Sequence, residues 1–131
     1  MKTRISAVHH DNRGRLEVIE GLRKDLTNFS RFFIISEIDV NSIRGEHAHR
    51  TQTQAFFALE GSCTLSIESK EGFGETELRQ DGTCYIVPPM TWVVLRQFSD
   101  DCKILILSDG DYDQADYIFN LDQFRSSIRG A

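Results

Sequence analysis

Apolar and polar residues alternate along much of this chain with a period of two, interrupted about every 8–12 residues by turn-forming residues. The clearest case sets Cys63, Leu65 and Ile67 against Thr64, Ser66 and Glu68, the pattern of a strand buried on one face. Before it, Ala55 to Leu59 is a continuous apolar run stopped by Glu60-Gly61. Arg31 to Ile38 is aromatic and β-branched, which predicts a strand buried on both faces. Upstream, the polar turn Asp11 to Gly14 leads into a short strand carrying Leu16 and Val18, and Lys24 to Ser30 is a polar connector. A further strand begins near Arg44. Downstream, the turn Lys70 to Gly74 returns as an exposed strand over Thr76 to Arg79, and Asp81-Gly82 turns the chain again. Cys84 to Val87 then runs into Pro88-Pro89, which cannot continue a central ladder. Trp92 to Phe98 and Cys102 to Leu107 predict two more strands. The acidic, aromatic tail from Tyr112 to Phe124 predicts one helical turn packed across the sheets, with Asp111, Asp113 and Asp116 on a solvated face. The fold class is therefore all-β, a sandwich or barrel, with residues 1–131 read as one domain.

The totals narrow the partners. The net charge is −5 and no basic stripe offsets it, so nucleic acid is not an expected partner. Local arginines still leave room for a small anionic ligand. No apolar run approaches the roughly 18 residues of a membrane span, and Met1 to Arg4 does not open a signal peptide. Cys63, Cys84 and Cys102 are odd in number and form no CxxC, so they read as reduced thiols of a cytoplasmic protein.

The chemistry concentrates in Arg44-Gly45-Glu46-His47-Ala48-His49-Arg50. Side chains two apart in an extended segment share a face, which sets the two imidazoles about 7 Å apart beside two arginines. Such a cluster is either half of a metal site or an acid/base site next to an anion.

Spacing brings a family into view. The chain resembles the cupins, whose first motif follows an HxH pair with Glu and then Gly. Gln54 and Gly61 stand at those two positions here. Gly82 and Pro88 match the second cupin motif, but Val93 replaces its last histidine. The resemblance implies a cupin-type double-stranded β-helix, or jelly roll, with a short C-terminal tail segment. It also implies that the usual carboxylate and third imidazole are missing. Two imidazoles and one amide are a poor set for zinc or iron, so no metal and no cofactor is expected.

Within the cupins, the chain resembles the nucleotide-linked sugar 3,4-ketoisomerases over nearly its whole length. The matching stretches are Arg13-Gly14, Arg31, Arg44-Gly45, His47-Ala48-His49, Gln54, Gly61-Ser62, Tyr85, Pro89, Trp92, Phe98-Ser99, Tyr112-Asp113, Asp116-Tyr117-Ile118 and Asp122-Gln123-Phe124. This resemblance implies a metal-independent enzyme of deoxysugar biosynthesis, for surface polysaccharides or glycosylated products. Its substrate would be a thymidine diphosphate-linked 4-keto-6-deoxyhexose, whose ketone moves from C4 to C3 through an enediol. It also implies a domain-swapped homodimer with exchanged N-terminal strands.

Histidine, with a reference pKa near about 6.5, suits both halves of such a proton transfer. His49 is assigned as principal base and His47 as its partner. Arg44 would hold the enediolate or the pyrophosphate, and Arg13 and Arg31 the diphosphate or the base. Gln54 would contact substrate or orient a histidine, and Tyr85 or Trp92 would stack on nucleotide or sugar. Three positions depart from the family pattern. Phe33 and Ile34 stand where an active-site tyrosine is usual, so Phe33 takes that tyrosine's place against the substrate. Val93 replaces a histidine, and Phe119 an arginine. Those losses motivate a second reading, a non-catalytic cupin that binds a nucleotide sugar.

Overall fold

The computed structural model describes residues 1–129. Twelve strands follow one another: β1 (Lys2–Ile5), β2 (Ala7–Asp11), β3 (Gly14–Val18), β4 (Arg31–Ile35), β5 (Arg44–His49), β6 (Gln54–Glu60), β7 (Ser62–Ser69), β8 (Gly72–Arg79), β9 (Thr83–Val87), β10 (Trp92–Arg96), β11 (Lys103–Ser108) and β12 (Tyr117–Ile118). Two 3₁₀ turns, at Leu22–Lys24 and Gln114–Asp116, and a helix α1 (Leu121–Arg129) complete the set. Two five-stranded antiparallel sheets form, one in the order β1-β9-β6-β11-β4 and the other β12-β5-β10-β7-β8. The hairpin β2–β3 pairs only with itself. The two packed sheets are the all-β sandwich that the alternation predicts, in the cupin-type jelly-roll form that the resemblance implies.

Strand parity builds the layers. Phe56, Leu65, Leu78, Val93, Leu95, Ile104 and Ile106 point inward from both sheets and fill the space between them. Their alternates point outward. Ala55, Phe57, Cys84 and Ile86 are covered by Leu22 and Leu26. Ala48, Trp92 and Ile118 are covered by Phe124 of α1. The helix exists because Leu121, Phe124 and Ile128 recur at helical spacing and face that layer. Asn120 opens it, its Oδ1 accepting from the Gln123 amide at 2.8 Å. Arg125 forks onto Glu68 of β7 at 2.8 and 2.9 Å, fixing the helix to the sheet. The tail is thus a 3₁₀ turn, a two-residue strand and a nine-residue helix, more than the single helical turn expected.

β4 departs from its expected burial. Phe33 and Ile35 pack inward, but Phe32 and Ile34 are 66 % and 51 % exposed. β4 lies at the edge of its sheet and pairs only with β11, and among the described residues nothing covers its outer face.

Candidate active site

The site grows from β5, where parity sends Ala48 outward into the α1 layer and both histidines inward. A bulge aims them. The pairing of β5 with β10 slips between Val93 and Val94, Gly45 takes φ +84°, and Glu46 takes φ +54°. Only glycine fits at 45, because a Cβ there would sit 2.7 Å from the Val93 carbonyl oxygen. The imidazoles of His47 and His49 stand edge to face with centroids 5.2 Å apart, tighter than the 7 Å expected from strand rise alone.

Each ring is held by Nδ1. His47 Nδ1 donates to the Gly45 carbonyl at 3.0 Å. His49 Nδ1 donates to Asp116 Oδ2, also at 3.0 Å, in a pair that is almost wholly buried. The other oxygen of Asp116 accepts from the Thr51 amide at 2.9 Å and from Thr51 Oγ1 at 2.7 Å. Burial works to protonate Asp116, but the bonds from Thr51 and His49 outweigh it and keep the carboxyl below its ordinary pKa. Burial also pushes His49 below the usual histidine value, with Asp116 opposing and His47 assisting. His47 is lowered too, first by burial and then by Arg31, against the Gly45 carbonyl. Both rings are therefore neutral near pH 7. His49 Nε2 is buried and has no hydrogen-bond partner among the described residues. A neutral imidazole with a bare, fixed lone pair is a base ready for use.

A pocket of about 190 Å³ opens beside the His47 ring, lined by Phe33, Arg44, His47, Gln54, Phe56, Val93 and Tyr117 among others, and His49 packs against the His47 and Tyr117 rings of that wall. Gln54 is buried on β6, and its Nε2 likewise lacks a partner. Arg31 closes the rim. Its Nε donates to the Gly110 carbonyl at 2.9 Å, and its Nη2 to Gln52 Oε1 and Tyr117 Oη at 3.2 and 3.3 Å. The guanidinium also lies 5.3 Å above the Phe33 ring. Tyr117 packs its ring 4.2 Å from His49 and 5.0 Å from His47, and Phe119 stacks on its far side.

The expected site residues divide accordingly. His47, His49, Arg31, Arg44, Gln54 and Phe33 come together. Trp92 does not. One position before the inward Val93, it points outward and packs on Phe124 at 5.7 Å. Tyr85 faces inward, but its hydroxyl meets Thr76 at 3.3 Å and the ring packs into the core away from the pocket. Arg13 lies at the tip of the β2–β3 hairpin, exposed and ion-paired with Asp11 at 2.6 Å. Asp111 and Asp113 are exposed as expected, whereas Asp116 is buried against His49. Reading Asp116 and Tyr117 as tail residues missed their place in the site, though the Asp116-Tyr117-Ile118 match had marked them.

The donor set does not suit a resident metal. Among the described residues no three His, Cys, Asp or Glu side chains converge, and Val93 pairs directly with His47 where a third imidazole would be needed. The thiols are no better placed: all three are buried, and burial raises Cys63 and pushes Cys84 to about 11.

Comparison with known proteins fits this geometry. The family model described as "WxcM-like, C-terminal" matches residues 1–129. TDP-4-oxo-6-deoxy-alpha-D-glucose-3,4-oxoisomerase of Aneurinibacillus thermoaerophilus is 30 % identical over 118 residues, covering 90 % of this chain and 85 % of that protein. The chain belongs to this family. Among solved structures, the sugar 3,4-ketoisomerase QdtA of Thermoanaerobacterium thermosaccharolyticum, in complex with TDP, aligns with a TM-score of 0.89 at 25 % identity. That match covers 98 % of this chain and 94 % of QdtA. The TDP-quinovose 3,4-ketoisomerase WlaRB of Campylobacter jejuni aligns with a TM-score of 0.84 at 29 % identity, covering 94 % and 95 % of the two chains. As a family member the chain is an isomerase of the sugar 3,4-ketoisomerase type. No described helix is long and apolar enough to cross a membrane.

Proposed function

We propose that this enzyme moves the ketone of a TDP-linked 4-keto-6-deoxyhexose from C4 to C3, with His49 as the base. The observation that carries the reading is the bare, buried Nε2 of His49, backed at Nδ1 by Asp116 and packed against His47 and Tyr117, which line a pocket together with Arg44. The C4 ketone acidifies the C3 hydrogen, and a neutral imidazole takes it. Asp116 fixes the tautomer and stabilises the imidazolium that forms. Arg44 faces the charge that grows on the sugar oxygen, and Arg31 extends that positive edge toward the diphosphate. Gln54 orients the sugar through its unpaired amide, and Phe33 gives it an apolar wall. His47 shares the face and accepts the proton in relay.

The working unit in this reading is a homodimer. Phe29, Phe32, Ile34 and Ile43 leave an apolar face exposed beside the free edge of β4, and the β2–β3 hairpin finds no sheet to join. Exchange of the hairpin between two copies would cover that face and carry Arg13 to the neighbour's pocket.

The test is isotope exchange. Incubated with TDP-4-keto-6-deoxyglucose in deuterium oxide, the wild-type enzyme should incorporate deuterium and form the 3-keto isomer. His49→Asn should abolish both while still binding TDP. Nucleotide binding without exchange by the wild type would favour a non-catalytic sugar-nucleotide carrier.

A further inference from the structure

The isomerisation moves two kinds of proton. One leaves C3 and arrives at C4, and His49 accounts for it. The other must leave the oxygen on C3 and arrive at the oxygen on C4, and an imidazole engaged with carbon does not also serve the oxygens. Among the residues lining the pocket, Tyr117 supplies the only hydroxyl. Its ring is clamped between His49 at 4.2 Å and Phe119 at 5.1 Å, so the hydroxyl has a fixed direction. Its oxygen accepts from Arg31 Nη2 at 3.3 Å, while its own proton meets no acceptor among the described residues. A phenol whose oxygen already accepts from a guanidinium keeps its own proton free to donate to an oxygen placed beside it, with the guanidinium at hand to pair with the oxyanion.

We infer that Tyr117 is the acid/base group for the sugar oxygens and works with Arg31, a role that rests on the ketoisomerase reading above. In the first half, His49 Nε2 takes the C3 proton, the C–H electrons form the C3–C4 double bond, and the ketone electrons move to O4. Tyr117 Oη protonates O4 and becomes a phenolate paired with Arg31. The phenolate then takes the O3 proton, O3 closes to a carbonyl, and the double-bond electrons take the proton from His49 at C4. Both side chains return to their starting state, and no oxidant or reductant is needed. Tyr117 thus fills the gap left at Phe33, whose ring carries no hydroxyl.

The test separates the two protons. With TDP-4-keto-6-deoxyglucose in deuterium oxide, Tyr117→Phe keeps the ring and its packing but cannot pass a proton between oxygens. Exchange at C3 should survive while formation of the 3-keto isomer falls by about 10²-fold or more relative to it. Arg31→Gln, which spares the Tyr117 ring, should shift the same ratio in the same direction and serves if Tyr117→Phe does not fold. If exchange and isomer formation fall in step, or neither falls, Tyr117 does not carry the oxygen protons. If the wild type shows neither exchange nor product, the ketoisomerase reading itself fails, a different outcome from both.

Discussion

His49 Nδ1 lies 3.0 Å from Asp116 Oδ2, across 67 residues of sequence, and both side chains are almost fully withdrawn from solvent. A carboxylate accepts only, so the ring must carry its proton on Nδ1 and leave Nε2 as the basic nitrogen. Asp116→Asn keeps the size of the side chain and lets the amide donate to the ring, which favours the opposite tautomer. Turnover should fall by about 10²-fold or more, with little change in affinity for TDP. Steady-state kinetics with titration of TDP binding would check it. A loss confined to KM would deny Asp116 this part.

Burial holds His49 below the ordinary histidine pKa, and the base acts only when neutral. kcat/KM should therefore rise with pH through an inflection below 6.5 and stay level above it. Asp116 is the main influence opposing burial, so Asp116→Asn should move the residual acid limb further toward low pH. An inflection above the ordinary value, in a profile taken with saturating and limiting substrate, would contradict the neutral ground state.

The same shifts set a direction for stability. His47, His49 and Asp116 all have folded pKa values below their unfolded ones, so the unfolded chain binds more protons in acid. The stabilisation is complete above the unfolded values and is lost as pH falls through the folded ones. The histidine part begins to go below 6.5, and the Asp116 part below 3.8. Thermal unfolding should show Tm falling between about pH 7.5 and about pH 5, and falling less in a His47→Gln, His49→Gln double variant.

Gly45 is irreplaceable for a backbone reason. Alanine there combines a positive φ with a Cβ 2.7 Å from the Val93 carbonyl oxygen. Gly45→Ala should cost about 1–3 kcal/mol of stability and tilt His47 out of register. Denaturant unfolding reads the first effect and kcat the second. Unchanged stability would mean that the bulge is not constrained as described.

Phe32→Asp places a charge in the exposed face beside the edge of β4. In a dimer built on that face it should yield monomers by sedimentation, and with Arg13 withdrawn from the neighbouring pocket, weaker binding of TDP. A variant that sediments as the wild type does would remove that face from the interface.

What was legible in the sequence followed from periodicity. Alternation and apolar runs located β3 to β11 and set His47 and His49 on one face with Ala48 behind them, but left β1, β2 and β12 unassigned, and the glycine and proline signals gave most of the turns. Burial of a given face was not legible in the same way. Phe32 and Ile34 look like core residues because a sequence records hydrophobicity and not which chain covers it. Trp92 looked like a ligand platform because its type suits one, yet strand parity sends it to the opposite side from Val93. Asp116 was the hardest. An aspartate among other aspartates reads as solvated, and only the antiparallel pairing of β12 with β5 turns it toward the imidazole.

That pairing also orders events in time. The two sheets can close around their shared interior using strands up to β11, which ends at Ser108. Thr51 and His49 meet their carboxylate only once Tyr117 and Ile118 have zipped onto β5 and α1 has settled over Ala48. A chain whose barrel interior is packed but whose β12 has not paired would hold His49 without the carboxylate that fixes its tautomer, so a probe in the core and a probe at the β12–β5 pairing report different events.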